Sequence, residues 1–234
     1  MILEKWENLP EQLKTEEVRL YYEVLSKKRT SLFFKRVFDI FCSGIMLVVL
    51  SPVFLILAIA IKLESEGPVF YRQTRITQYG KEFKIFKFRT MVNNADKIGT
   101  QVTVSSDSRI TRVGKFIRDC RLDELGQLID VFRGTMSFVG TRPEVPKYVA
   151  EYTNEMMATL LLPAGVTSEA SILYKDESAL LDSAEDVDNV YINEVLPGKM
   201  HYNLKGIKHF NFFRDIKIMF MTILAVLGKE YTGD

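Results

Sequence analysis

Ile40-Phe41-Cys42-Ser43-Gly44-Ile45-Met46-Leu47-Val48-Val49-Leu50-Ser51-Pro52-Val53-Phe54-Leu55-Ile56-Leu57-Ala58-Ile59-Ala60-Ile61 contains no charged side chain, and its roughly 22 residues are enough for a bilayer span. Ser51-Pro52 falls at its midpoint. Proline there removes a backbone N–H and clashes with the carbonyl of Val48, so a helix must bend. Each leg is then about 11 residues, or roughly 17 Å at helical rise, about half of a ~30 Å hydrocarbon core. Two readings fit: one kinked transmembrane helix, or a helix that enters, breaks at Ser51-Pro52 and leaves by the same face. In either, the carbonyl freed by proline needs a partner, which the Ser51 hydroxyl can supply. Lys35 and Arg36 at the entry would hold the helix at headgroup level.

The chain has 234 residues, room for one good-sized domain beside a membrane element. With 31 basic and 30 acidic side chains the net charge is +1, so nothing global points to nucleic acid. Basic residues concentrate locally in Lys27-Lys28-Arg29 and Lys35-Arg36, which suggests anionic lipid headgroups. Cys42 and Cys120 show neither metal-ligand spacing nor a disulfide framework, and reduced thiols are expected. The two histidines, His201 and His209, sit in no zinc or Ser-His-Asp motif.

Upstream, residues 1–30 carry a helical pattern with Leu13, Leu20, Tyr21, Val24 and Leu25 on one face, and Pro10-Glu11 suits a first turn. That face either packs on its own domain or serves self-association or a membrane surface. A signal peptide is not expected, because the apolar stretch begins late and no small-residue cleavage pattern closes it.

Downstream, Val69-Phe70-Tyr71-Arg72-Gln73 and Phe83-Lys84-Ile85-Phe86-Lys87-Phe88 flank Tyr79-Gly80-Lys81 and predict a hairpin with one buried and one cationic face. Residues 92–108 read as a loop, then a short helical piece holds Phe116 and Ile117, and Arg133-Gly134 reads as a turn. After Pro143 a polar helix-like segment runs to about Leu162, followed by a strand at Ser171-Ile172-Leu173-Tyr174. Asp182 to Asp188 reads as a solvated acidic helix face. The tail from Phe210 to Leu227, stopped by Gly228, is too interrupted by charge to span a bilayer; it packs in the domain or lies at the interface.

Between these elements, Arg118-Asp119-Cys120-Arg121-Leu122-Asp123-Glu124-Leu125-Gly126-Gln127-Leu128 sets adjacent carboxylates at the start of an apolar, helix-like run. Unpaired N–H groups and the helix dipole favour negative charge there, so Asp123 should stay ionised at neutral pH. Capping is the usual role of such a pair. An ionised aspartate is also a competent nucleophile if cations neutralise an incoming phosphate, and Arg118, Arg121 and Arg142 are candidates for that work.

From Lys35 to about Leu227 the chain resembles the monotopic phosphoglycosyl transferases, the bacterial sugar transferase family that starts glycan assembly on a polyprenol carrier. The matching residues are Lys35-Arg36-Val37-Phe38-Asp39, Ser51-Pro52, Gly67-Pro68 with Arg72-Gln73 and Arg75, and Phe83 through Met91. They continue with Arg109-Ile110-Thr111-Arg112-Val113-Gly114, Leu122-Asp123-Glu124-Leu125 with Gln127-Leu128, and Gly134 through Gly140 with Arg142-Pro143. The resemblance implies an α+β fold: a re-entrant (monotopic) membrane helix hairpin over 35–66, broken at Ser51-Pro52. A mainly helical cytosolic catalytic domain with a small β-hairpin over 67–234 follows it, and an amphipathic extension over 1–34 precedes it. It implies a bacterial inner-membrane protein with both hairpin ends on the cytoplasmic side.

It further implies that Asp123 and Glu124 are the catalytic dyad, that Mg²⁺ is required with Glu124 as its ligand, and that Arg118 and Arg142 serve the phosphate site. Lys87 and Arg89 join them from the basic strand. The expected reaction moves a sugar-1-phosphate from a UDP-sugar to a polyprenol phosphate through an aspartyl-phosphosugar, releasing UMP. A homodimer through the N-terminal stretch is a further expectation. The chain departs from the family pattern at Gly126 and Thr141, where proline is common, and at Ala164-Gly165-Val166-Thr167-Ser168-Glu169, where Gly-Ile-Thr-Gly-Leu is common; these departures bear on which sugar is used. The rival reading is a catalytically silent membrane-anchored scaffold or regulator of polysaccharide assembly. A third, a single-pass anchor, would put residues after Leu63 outside the cell.

Overall fold

The computed structural model describes residues 3–95, 107–174 and 186–227. Residues 96–106 of the loop read from sequence, 182–185 of the acidic patch, and Gly228 lie outside them. Two short 3-10 turns, Trp6–Asn8 and Glu11–Leu13, precede helix α1 (Glu16–Ser26). The helix starts at Thr15 rather than at Pro10, because the Thr15 hydroxyl accepts the Val18 N–H (3.3 Å) and caps it. Leu13, Val18, Tyr21 and Leu25 are buried against Ile76, Leu161, Leu204 and Ile207. Leu20, assigned to that face from sequence, is exposed. The N-terminal segment is thus docked on its own domain.

Helices α2 (Arg29–Val49) and α3 (Ser51–Glu64) meet at Leu50 and are bent by 60°. Among the described residues no single helix is long and apolar enough to cross a membrane; this pair passes that test only together. Ser51 Oγ donates to the Val48 carbonyl (2.8 Å), the acceptor that Pro52 deprives of an N–H. Phe41, Ile45, Val48, Val49, Leu55, Ile56 and Ile59 face outward and exposed. The inner faces are packed: Phe38, Cys42, Leu47 and Phe54 against Leu128, Val131 and Phe138, and Leu57 and Ile61 against Phe88, Ile117, Leu122 and Leu125.

The entry cations do not reach for headgroups as expected. Lys35 is buried, its ammonium donating to Asp215 Oδ2 (2.5 Å) and the Val139 carbonyl (2.8 Å). Arg36 donates to the carbonyls of Val131 (2.7 Å) and Phe132 (2.9 Å). Both tie the helix pair to the domain beneath it. The sequence offers no hint, because their partners lie about 100 to 180 residues away.

Strands β1 (Phe70–Ile76) and β2 (Glu82–Phe88) form the expected antiparallel hairpin, with Tyr71 opposite Lys87 and Arg75 opposite Phe83. Helix α4 (Arg112–Asp119), a 3-10 turn (Leu122–Gly126) and α5 (Gln127–Arg133) follow. Gly134 ends α5 with φ 89°, a left-handed cap that favours glycine. Strand β3 (Met136–Val139) pairs in parallel with β4 (Ala164–Thr167), a second sheet absent from the sequence reading.

The polar helix expected after Pro143 is only the single turn α6 (Pro146–Val149) and a 3-10 segment, Met156–Leu161. The strand expected at Ser171–Tyr174 is instead helix α7 (Glu169–Leu173), capped by Ser168 Oγ accepting the Ser171 N–H (3.1 Å). Helix α8 (Val187–Val190) runs through a π segment (Tyr191–Val195) into α9 (Leu196–Lys208). The last helix, α10 (Phe212–Val226), buries Ile218 while Phe213, Phe220, Ile223 and Val226 remain exposed. Its Phe212 ring meets Phe38 of α2 at 5.6 Å.

Because Lys35 and Asp215 are both largely withdrawn from solvent, removing one partner leaves a buried charge uncompensated. Lys35→Met is expected to cost about 3–5 kcal/mol in unfolding of the detergent-solubilised chain. The double change Lys35→Met with Asp215→Leu should recover most of it, and a double change no better than the single would contradict the pairing.

Candidate active site

Asp123 and Glu124 stand on the 3-10 turn that Arg121 opens at φ 53°. Local forces hold that turn tightly to strand β2. A Cβ at Gly126 would come within 2.7 Å of the Phe86 carbonyl oxygen, so the turn sits as close to the strand as glycine allows. Just beyond, the buried Asp130 accepts the Phe86 N–H (2.8 Å) and fixes α5 to the same point of β2. Leu122 and Leu125, flanking the dyad, pack into the cluster built on Leu57 and Ile61 of α3. The carboxylates are therefore positioned by the helix pair as much as by their own turn.

The cations arrive from three directions. Lys87 on β2 donates to Glu124 Oε1 (3.3 Å), and Arg142, beyond β3, reaches the same oxygen (2.5 Å). Arg118, at the end of α4, is oriented by Nε donating to Thr90 Oγ1 (2.8 Å). Burial pushes the Asp123 carboxyl above the ordinary aspartate range, with Lys87, Arg118 and Arg142 opposing it and Glu124 adding to it. Burial also acts on Glu124, but Arg142 and Lys87 together outweigh it and hold that carboxyl well below the usual range. Lys87 and Arg118 are themselves depressed by burial. The helix start alone predicted a comfortably ionised Asp123. In the folded chain its charge depends on the three cations.

Of the residues singled out from sequence, Asp123, Glu124, Lys87, Arg118 and Arg142 come together. Arg89 does not. Its guanidinium is buried and donates to the carbonyls of Glu66 (2.6 Å) and Ser65 (2.7 Å), closing the end of α3. Arg121 is exposed on the turn. The expected single cationic strand face is also absent. Lys84 and Lys87 are three apart, and strand side chains alternate, so Lys84 is exposed while Lys87 faces the dyad.

Alternation also puts Tyr71 and Arg75 on the Lys87 face, the signal by which Arg75 was legible. Arg75 donates to the Pro143 carbonyl (2.9 Å) and lies 3.9 Å from Glu144. Glu144 in turn accepts from the Tyr191 hydroxyl (2.6 Å) and Lys199 (3.4 Å), so the loop bearing Arg142 is held from its far side. Tyr191 and Lys199 lie in no motif that marked them. At the departure Thr141, the carbonyl accepts the Gly165 N–H (2.8 Å). A proline would supply the same acceptor, and the exchange leaves the route to Arg142 intact.

Among the described residues no three His, Cys, Asp or Glu side chains converge as a metal cage. Two adjacent carboxylates still fit Mg²⁺, which commonly takes one or two and completes its shell with water and substrate phosphate.

Carboxylates of opposed titration thus lie within a ring of cations, on a body that carries a bent apolar helix pair. The family model described as bacterial sugar transferase matches residues 30–229, and the chain belongs to that family. It is 35% identical over 198 residues to the UDP-N-acetylgalactosamine-undecaprenyl-phosphate N-acetylgalactosaminephosphotransferase of Aeromonas hydrophila, covering 83% of this chain and 44% of the relative. It is 31% identical over 218 residues to the undecaprenyl-phosphate galactose phosphotransferase of Salmonella typhimurium, covering 87% and 42%. To the UDP-glucose:undecaprenyl-phosphate glucose-1-phosphate transferase of Caulobacter vibrioides it is 32% identical over 207 residues, covering 84% and 70%. The chain thus spans less than half the length of the first two.

Lys87 is the strongest of the cations opposing the burial of Asp123. Removing a cation disfavours the carboxylate and raises its pKa further. In Lys87→Met the acid limb of the rate–pH profile should therefore move to higher pH, with turnover lower by about 10²-fold. An acid limb left in place would separate Lys87 from Asp123.

Proposed function

We propose that the chain moves a sugar-1-phosphate from a UDP-sugar to a polyprenol phosphate at the cytoplasmic face of a bacterial inner membrane. The observation that carries this reading is the Asp123–Glu124 pair set among Lys87, Arg118 and Arg142, with its flanking leucines packed on α3. The names of the relatives support the acceptor, since each contains undecaprenyl phosphate. Those names give N-acetylgalactosamine, galactose and glucose, so the donor class we propose is a UDP-hexose or UDP-N-acetylhexosamine.

In the first step an Asp123 carboxylate oxygen attacks the sugar-linked phosphorus. The bond from that phosphorus to the bridging oxygen breaks, its electrons leave with UMP, and an aspartyl-phosphosugar remains. In the second, a phosphate oxygen of the polyprenol phosphate attacks the same phosphorus and restores the carboxylate, giving a polyprenol-diphosphate-sugar. Arg118 and Arg142 offset charge on the transferring group, and Lys87 keeps Asp123 ionised between turnovers. Glu124 would hold Mg²⁺, which when bound would supply further charge neutralisation on phosphate oxygens. Two displacements suit a bilayer surface, because UMP can leave before the lipid acceptor arrives. The bent helix pair enters and leaves the bilayer on one side, its outward apolar residues in the acyl region, and brings the dyad to headgroup depth.

Asp123→Asn should abolish UMP release from every UDP-sugar that the parent accepts, while Glu124→Gln should lower the rate and weaken its magnesium dependence. Mass spectrometry of enzyme quenched with donor alone should find the phosphosugar on the peptide bearing Asp123. A phosphosugar mapped to another side chain would overturn the covalent step, and a parent chain that releases no UMP from any donor would favour the silent scaffold.

A further inference from the structure

The outer face of the β1–β2 hairpin carries cations that the proposed reaction does not use. Arg72 lies flat on the Phe86 ring, its guanidinium carbon 3.4 Å from the centroid, and Arg133 approaches the same ring at 6.0 Å. Arg72 also donates twice to the Lys84 carbonyl (2.5 and 3.2 Å), and the exposed Lys84 side chain stands beside it. Arg36, bound to the Val131 and Phe132 carbonyls, packs against Gly134 next to Arg133. Two elements behind this face hold carboxylates, and both are turned inward. Asp130 is buried on the Phe86 N–H and Thr135, and Asp39 is buried toward the Phe138 N–H (3.3 Å). The same strand face also carries the exposed Glu82 at its far end, opposite Ile76; the exposed charges nearer Phe86, on Arg72, Lys84 and Arg133, are cationic.

Its position relative to the apolar helix pair is fixed by Phe132. That ring packs over Gly44, 3.4 Å from where a Cβ would stand, and is itself 47% exposed. Gly44 lies inside the uncharged run of α2, so Phe132 continues the apolar surface outward and Arg133 begins the cationic one. A cationic belt immediately above an apolar wedge matches a leaflet with negative headgroups over acyl chains. The Arg72 guanidinium, stacked on Phe86 with its Nε and Nη2 on the Lys84 carbonyl, keeps its Nη1 side for phosphate, and the stacking limits the entropy lost on contact.

We propose that Arg72, Lys84 and Arg133 form a docking surface for anionic phospholipid headgroups, recruiting them to one flank of the helix pair. The inference rests on the reading of α2 and α3 as a membrane hairpin.

The test uses the full chain reconstituted in nanodiscs of phosphatidylcholine with a minor fraction of phosphatidylglycerol, and measures the lipid retained on partial delipidation by mass spectrometry. A cation near an anionic surface is worth about a fivefold preference, so phosphatidylglycerol should be retained about fivefold or more above its bulk fraction, less so at high salt. Arg72→Gln/Lys84→Gln/Arg133→Gln should return retention to the bulk fraction. Arg72→Lys/Arg133→Lys, which keeps the charges, should preserve it and guards against misfolding of the first variant. Lys14→Gln/Lys147→Gln/Lys208→Gln, at ion-paired surface lysines elsewhere, should leave it unchanged. Enrichment that survives loss of the three belt charges, or that never exceeds the bulk fraction in the parent, overturns the proposal. Alkaline carbonate extraction tests the hairpin separately: a chain released from vesicles of every composition refutes membrane insertion, whatever lipid it retains.

Discussion

The break at Leu50 is the constraint from which the remaining geometry follows. Proline at 52 has no N–H to give Val48, and the Ser51 hydroxyl takes up that carbonyl at 2.8 Å, so the bend has a satisfied acceptor in a place where an unsatisfied one would cost several kcal/mol in lipid. Had the helix run straight, only one of its ends could have met the body of the protein. Turned by 60°, both legs lie against it. α2 packs on α5, β3 and α10, and α3 packs on α4 and the dyad turn.

Within the site, two carboxylates adjacent in sequence are driven apart in titration. Glu124 receives two direct ion pairs and is held deep in its ionised range, whereas Asp123 feels the same cations at longer range and its own burial prevails. Environments that split a carboxylate pair assign its roles. A group whose Oε1 is taken by both Lys87 and Arg142 is poorly suited to attack and well suited to hold charge in place. The less stabilised Asp123 keeps the more reactive oxygen. The ring of cations serves both, since it lowers the Asp123 carboxyl against its burial and holds Glu124 ionised.

How much of this was legible in the sequence depended on range. The bend was readable because Ser51, Pro52 and Val48 lie within one helical turn, and Arg133-Gly134 was readable as a turn for the same reason. Lys87 was singled out, but on a mistaken picture of the strand: the three-residue spacing from Lys84 puts the two lysines on opposite faces. Arg89 shares a motif with Lys87 yet ends in the carbonyls that close α3, a destination set by a loop more than twenty residues upstream. The parallel pair β3–β4 escaped because both strands are four residues long and almost wholly buried, leaving no alternation to read. Ser171–Tyr174 looked extended by composition, and the Ser168 cap that makes it helical was the overlooked local signal. Nothing local could have paired Lys35 with Asp215.

The Lys35 pair ties the bent helix pair to the assembly of the carboxylate site. Lys35 sits on the leg that precedes the bend and donates to the carbonyl of Val139, the last residue of β3. Three residues on, Arg142 reaches Glu124, its loop steadied on the other side by Arg75 at Pro143. The leg that follows the bend holds the opposite half: Leu57 and Ile61 grip Leu122 and Leu125, between which the carboxylates stand. One leg therefore positions a cation and the other the anions it must meet. A change in the bend angle would shift the two halves of the site relative to each other, so its geometry depends on a proline more than seventy residues before the dyad.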